Sequence, residues 1–78
     1  MDNYHLSHKG DEWQLEKQHA ERVTKKFPGM TKEEAVRDAA KFLRNRDDSA
    51  SLKIHLKDGP IQEERTYPKS ADPTQSPG

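Results

Sequence analysis

Leu52-Lys53-Ile54-His55-Leu56-Lys57 alternates apolar and polar residues without a break, and Asp58-Gly59 follows at once. Side chains two residues apart share a face of a strand, so this period marks a strand with one buried face. Asp-Gly readily takes the positive backbone angles of a tight hairpin turn, so Ile61 to Tyr67 is expected to return as the partner strand. Pro60 lacks an N–H and is tolerated at a strand start or a sheet edge. A two-residue turn sets Leu56 opposite Ile61, Ile54 opposite Glu63, Lys53 opposite Glu64 and Leu52 opposite Arg65. Lys53 and Glu64 then form a cross-strand ion pair on the solvent face. Glu63 and Arg65 share the apolar face with Ile61 and Tyr67, a pattern that suits an outer strand whose long side chains reach past a covering helix. A bulge at Pro60 would reverse these faces.

Upstream, Thr31 followed by Glu34 is a capping box and predicts a helix starting at Lys32. Ala35, Val36, Ala39, Ala40, Phe42 and Leu43 form one apolar stripe at helical spacing. Arg37, Lys41 and Arg44 gather on the other side, and the helix is expected to end near Arg46. At the N-terminus Asn3 to His8 alternates about Tyr4 and Leu6, Lys9-Gly10-Asp11 supplies a turn, and Trp13 and Leu15 repeat the alternation. These two runs read as a first hairpin. Between Gln18 and Phe27 the pattern weakens into an irregular connection, with Val23 and Phe27 either forming a helical turn or covering a sheet edge. Residues 68–78 hold three of the five prolines and no large apolar residue, so they read as a disordered tail.

The order is ββαββ, within a single domain over residues 1–67. Joining the first strand to the third gives an α+β fold: a four-stranded antiparallel sheet in the order 2-1-3-4, with the helix on one face and solvent on the other. The open face is expected to carry His5, Ser7, Gln14, Glu16, Lys53, His55, Gln62, Glu64 and Thr66.

With 78 residues, 28% apolar and 36% charged, the chain holds one small domain with a concentrated core. Cores of this size rarely contribute more than about 3–5 kcal/mol net and are often supplemented by disulfides, metals or subunits. There is no cysteine, and four histidines without cysteine make a poor zinc set, which leaves self-association as the expected support. No signal peptide and no apolar run of membrane-spanning length is visible, so a cytoplasmic protein is expected. The 14 basic and 14 acidic residues cancel, but residues 22–46 carry eight basic and three acidic groups. Such a cluster marks either a surface for an anionic partner or a solvated helix face.

Tyr4-His5-Leu6, Gly10-x-x-Trp13, Ala20-Glu21-Arg22, Thr31-x-x-Glu34-Ala35 and the block Leu52-x-Ile54-His55-x-x-Asp58-Gly59-x-Ile61-x-Glu63-Glu64-Arg65-Thr66-Tyr67 resemble a family of small bacterial proteins, the domain of unknown function 2188. The resemblance runs from about Asn3 to Tyr67. It implies a bacterial cytoplasmic domain and brings no catalytic or binding residue with it. The chain departs from the family pattern at Gln18-His19, where members often have a Gly-containing turn, and over Lys25 to Met30, which is slightly longer than usual.

His5 and His55 fall on one face of neighbouring strands, near enough to share a proton or a metal, with Glu16 or Glu64 as a third ligand; ordinary exposed histidines are the plainer reading. Ser7, His55 and Glu64 supply the residue types of a nucleophile, base and orienter, yet a flat solvated face lacks a water-excluding pocket. Trp13, Tyr4 and Phe42 are spaced as core residues rather than as a base-stacking platform. Arg65, Thr66 and Tyr67 combine a planar cation with an aromatic ring, although Tyr67 also fits as a core residue beside Trp13. The reading is a non-enzymatic protein-interaction module without cofactor or metal, whose candidate surface is His5, His55, Glu64, Arg65 and Tyr67 and whose partner is another protein or a second copy in a homodimer. The alternative is charge-driven nucleic-acid binding through Arg22, Lys25, Lys26, Arg37, Lys41 and Arg44.

Overall fold

The computed structural model describes residues 1–46 and 48–67. In chain order it contains β1 (Asp2–Lys9), β2 (Glu12–Lys17), β3 (Val23–Phe27), α1 (Lys32–Arg44), β4 (Ala50–His55) and β5 (Ile61–Tyr67). The five strands form one sheet in the order β3-β2-β1-β4-β5. The β1–β4 pair is parallel, with Tyr4 beside Leu52 and Leu6 beside Ile54. The other three pairs are antiparallel. The tail expected over residues 68–78 lies outside the described residues.

The expected sheet of four antiparallel strands is therefore corrected to a mixed sheet of five. The order of the four expected strands is as the sequence suggests; the fifth, β3, occupies part of the stretch expected to be an irregular connection. Its presence changes the direction of the central pair. Without β3 the chain would leave β2 at the end of the sheet where β1 began, and the helix would carry it across to start β4 antiparallel to β1. One more strand moves that exit to the opposite end, so α1 returns the chain to start β4 parallel to β1.

Trp13 faces Phe27, Gln14 faces Lys26 and Leu15 faces Lys25, after which the register steps by one and Val23 meets Glu16. Thr24 is the residue passed over. This bulge turns Val23 off the face that Phe27 and Lys25 occupy, so the two apolar residues of β3 do not mark one side of the strand.

The β4–β5 hairpin is corrected in its turn and in the expected Leu56–Ile61 pair, and keeps the other three expected pairs. The Gly59 N–H donates to the Leu56 carbonyl at 3.0 Å and the Leu56 N–H donates to the Pro60 carbonyl at 2.7 Å, so the loop is the three residues Lys57-Asp58-Gly59. Gly59 has φ +125°, a region closed to most side chains. The shorter span across the loop is offset at Gln62, where the register steps again: His55 faces Ile61, but Ile54 faces Glu63, Lys53 faces Glu64 and Leu52 faces Arg65. Two irregularities cancel. Between them they move Ile61 out of the expected apolar face, leaving it 52% exposed with Leu56 at 38%.

The core lies between α1 and one face of the sheet. Tyr4, Leu6, Trp13, Leu15, Phe27, Ala50, Leu52, Ile54 and Tyr67 meet Ala35, Ala39, Ala40 and Leu43, with Met30, Val36 and Phe42 packed at the margin. The helix contributes mainly alanine, so its backbone approaches the larger residues of the sheet closely. Its start is fixed as expected: the Thr31 hydroxyl accepts the Glu34 N–H at 3.2 Å and the Glu34 carboxylate accepts the Thr31 N–H at 2.9 Å. These bonds hold the Glu34 carboxyl below the usual range. The helix ends at Arg44 with Asn45 as cap, slightly before the expected Arg46.

After β2 the Ala20 N–H closes a turn onto the Lys17 carbonyl at 3.0 Å, and His19 within it has φ +68°. A side chain with a β-carbon is disfavoured there by about 1–2 kcal/mol. His19→Gly is expected to raise stability by about 0.5–1 kcal/mol after the entropy cost of glycine. Urea unfolding of the two proteins checks it; a lower midpoint for the glycine variant contradicts it.

Candidate functional site

The structure separates the candidate interaction residues into two neighbourhoods. His5, His55 and Glu64 project from the open face of the sheet, whereas Arg65 and Tyr67 face the helix beside Leu52 and Ala50. Each neighbourhood has its own chemistry.

On the open face His5 Nδ1 lies 2.8 Å from His55 Nε2, with the rings tilted by 44°. The Gly59 carbonyl lies 2.6 Å from His55 Nδ1 and can only accept, so that nitrogen carries the proton and His55 Nε2 accepts from His5. His5 Nε2 remains, 3.4 Å from Gln18 Oε1. Two imidazoles on one tetrahedral zinc would hold their nitrogens about 3.3 Å apart, wider than this contact.

His55 engages both ring nitrogens with His5 and Gly59, and Glu64 pairs with Lys53 at 3.2 Å, as expected for the cross-strand pair. The geometry does not assemble Ser7, His55 and Glu64 into a relay. Around them the face is internally paired: Lys53 also donates to Asn3 at 3.1 Å and Lys9 meets Glu16 at 2.6 Å.

Burial, followed by repulsion from His55 and Lys53, holds the His5 imidazole below its ordinary value of 6.5, against the opposing pull of Gln18 and Glu16. A folded value below the unfolded one means that the unfolded chain binds the proton more readily. Stability from this group is complete above about pH 6.5 and is lost as pH falls through the folded value. The urea midpoint is expected to fall between about pH 7 and 5, with a smaller fall for His5→Gln. An identical slope in both proteins would remove His5 as the cause.

The second neighbourhood is the free side of β5. Among the described residues β5 pairs only with β4, and five of its seven residues are exposed. An open trough of about 990 Å³ runs between β5 and α1, walled by Lys32, Val36, Arg37 and Arg44 on one side and Glu63 and Arg65 on the other. Arg65 makes a twin contact with Glu63 at 2.8 and 3.2 Å and donates to the Tyr67 hydroxyl at 3.4 Å. The Glu63 carboxylate, then Tyr67, push the Arg65 guanidinium further into its charged form, and Arg65 in turn lowers the Glu63 carboxyl. Arg44 lies over the Tyr67 ring, 5.9 Å from its centroid.

Glu63, Gln62 and Lys32 were absent from the expected surface. Lys32 donates to the Gln62 amide oxygen, which places Gln62 on the helix side and corrects its expected position on the open face. The bulge is the cause. Glu63 was legible as a neighbour of Arg65, since residues two apart on a strand share a face.

The basic candidates also divide. Arg37, Lys41 and Arg44 form an exposed ridge along α1, and Lys25 reaches its β3 side, where it lines a shallow depression with Lys41 and Phe42. Lys26 faces Gln14 on the opposite side of the sheet, and Arg22 precedes β3. Among the described residues no helix is long and apolar enough to cross a membrane.

No curated protein and no solved structure matches this chain. A protein-family model does, over residues 4–67, which take in the Tyr4 end of β1, the added strand β3, the helix and the whole β4–β5 hairpin. The chain therefore belongs to the family described as an uncharacterised protein conserved in bacteria, DUF2188.

Proposed function

We propose that this domain is a non-enzymatic interaction module, bacterial and cytoplasmic, that receives a partner strand along the free edge of β5. The observation that supports it is the contrast between the two ends of the sheet. β3 is short, interrupted at Thr24 and lined by Lys25 and Lys26, the usual devices that discourage pairing with another chain. β5 has its irregularity at Gln62, near its start, which leaves Glu63 to Tyr67 as a regular stretch, exposed over Glu63 to Arg65, beside an open trough. Backbone groups on such an edge give affinity, and alternate side chains give specificity.

A photo-activated cross-linker placed at Gln62 or Glu64, with Gln14 on the open face as comparison, tests the reading in a bacterial cell. Discrete adducts from the β5 positions that disappear on Thr66→Pro support it. Adducts only from Gln14, or none from β5, overturn it.

The ridge of Arg37, Lys41 and Arg44, extended by Lys25, favours a second reading as a charge-driven nucleic-acid-binding surface. Binding of this kind weakens steeply with salt. The triple reversal to Glu at Arg37, Lys41 and Arg44 is expected to abolish it, and unchanged binding would exclude this surface.

A further inference from the structure

The charge pattern of β5 is complementary to itself. Glu63 and Arg65 stand on the helix side and Glu64 between them on the open side, where Lys53 pairs with it at 3.2 Å. When two copies of one strand pair antiparallel in a continuous sheet, the two-fold axis is perpendicular to the sheet. Residues opposite each other must then lie on the same face, so the axis passes through a residue position rather than between two. This leaves few registers. An axis at Glu63 sets Glu63 against its own copy, and an axis at Arg65 sets Arg65 against its own copy. An axis at Glu64 sets Glu63 opposite Arg65 twice, once in each direction, and the central pair of Glu64 side chains is flanked by a Lys53 from each copy. Opposite charges directly across a strand pair stabilise it and like charges destabilise it.

We infer that the partner of this edge is a second copy of the chain, with β5 paired antiparallel to β5 about a two-fold axis at Glu64 and Glu63 facing Arg65 in both directions. The inference rests on the interaction-module reading and adds the occupant and its register. The paired edges form one sheet of ten strands, with both helices on the same side of it. About this axis Glu63, Glu64 and Arg65 form the regular seam, and Thr66 and Tyr67 of each copy run alongside the bulge at Gln62 and the exposed Ile61 of the other.

The test is the solution mass of the full chain across a concentration series, for the native protein, Glu63→Arg, Arg65→Glu, and an equimolar mixture of the two variants. Each variant alone places like charges opposite each other at both symmetry-related positions, and its association is expected to weaken roughly tenfold or more. In the mixture every Arg meets a Glu across the seam, although each chain keeps its own like-charged neighbours within β5. The mixture is therefore expected to recover the two-chain mass, a result that local damage to β5 would not give. Far-ultraviolet circular dichroism verifies that each variant is folded. A native protein that stays monomeric to millimolar concentration, single variants that associate like the native chain, or a mixture that stays monomeric each overturn the inference. Cross-linking of β5 to a different protein, together with a monomeric native chain, would overturn the second copy as partner and leave the interaction module standing; absence of any β5 adduct would remove both.

Discussion

Phe27→Ala is expected to unfold the domain at room temperature. Phe27 is fully buried at the end of β3 and faces Trp13 across the strand pair. Removing a buried phenylalanine side chain costs about 3–5 kcal/mol, part of it from the cavity left behind. The whole net stability expected of a core this small is about 3–5 kcal/mol, so the two quantities are comparable. Loss of the cooperative urea transition and of the strand signal in circular dichroism is the predicted outcome. Lys26→Ala, one residue away and on the opposite face, is expected to stay within about 0.5 kcal/mol of the native protein. A folded Phe27→Ala protein with a native midpoint would mean that β3 does not belong to the core, and the parallel direction of β4 would lose its explanation.

Ala39→Leu is expected to destabilise by about 1–3 kcal/mol, although it adds apolar surface. Ala39 is fully buried on the face of α1 that meets the sheet. The helix lies close because its buried positions are mostly alanine, and a larger side chain there pushes the two layers apart or into poor rotamers. The urea midpoint is predicted to fall with little change in its slope, since the same surface is exposed on unfolding. A midpoint at or above the native value would show a gap beneath the helix that the packing of Leu6, Leu15 and Leu52 does not indicate.

The parts of the fold governed by local rules were legible in the residues. Thr31 and Glu34 mark the helix start because both groups of the capping box are four residues or fewer apart in sequence. Leu52, Ile54 and Leu56 mark β4 by their period, and Lys53 finds Glu64. The strand β3 was not legible, because the bulge at Thr24 places Val23 and Phe27 on different faces and Lys25 occupies the buried side at the sheet margin. A missed strand then propagates: sheet direction depends on the number of crossings, so one omission reverses β4 relative to β1. The candidate site was half legible. His5 and His55 do meet, on parallel rather than antiparallel strands. Arg65 and Tyr67 lie elsewhere, with Glu63, on the edge whose exposure follows from the order of the strands and not from any single residue.

Amide hydrogen exchange of the native chain, followed residue by residue from dilute to concentrated solution, tests most directly whether β5 is the surface through which the protein associates. Protection is predicted to rise with concentration over Glu63 to Arg65 and to stay constant in β3 and around His5 and His55. Constant protection in β5, or a rise confined to the open face of the sheet, would contradict it.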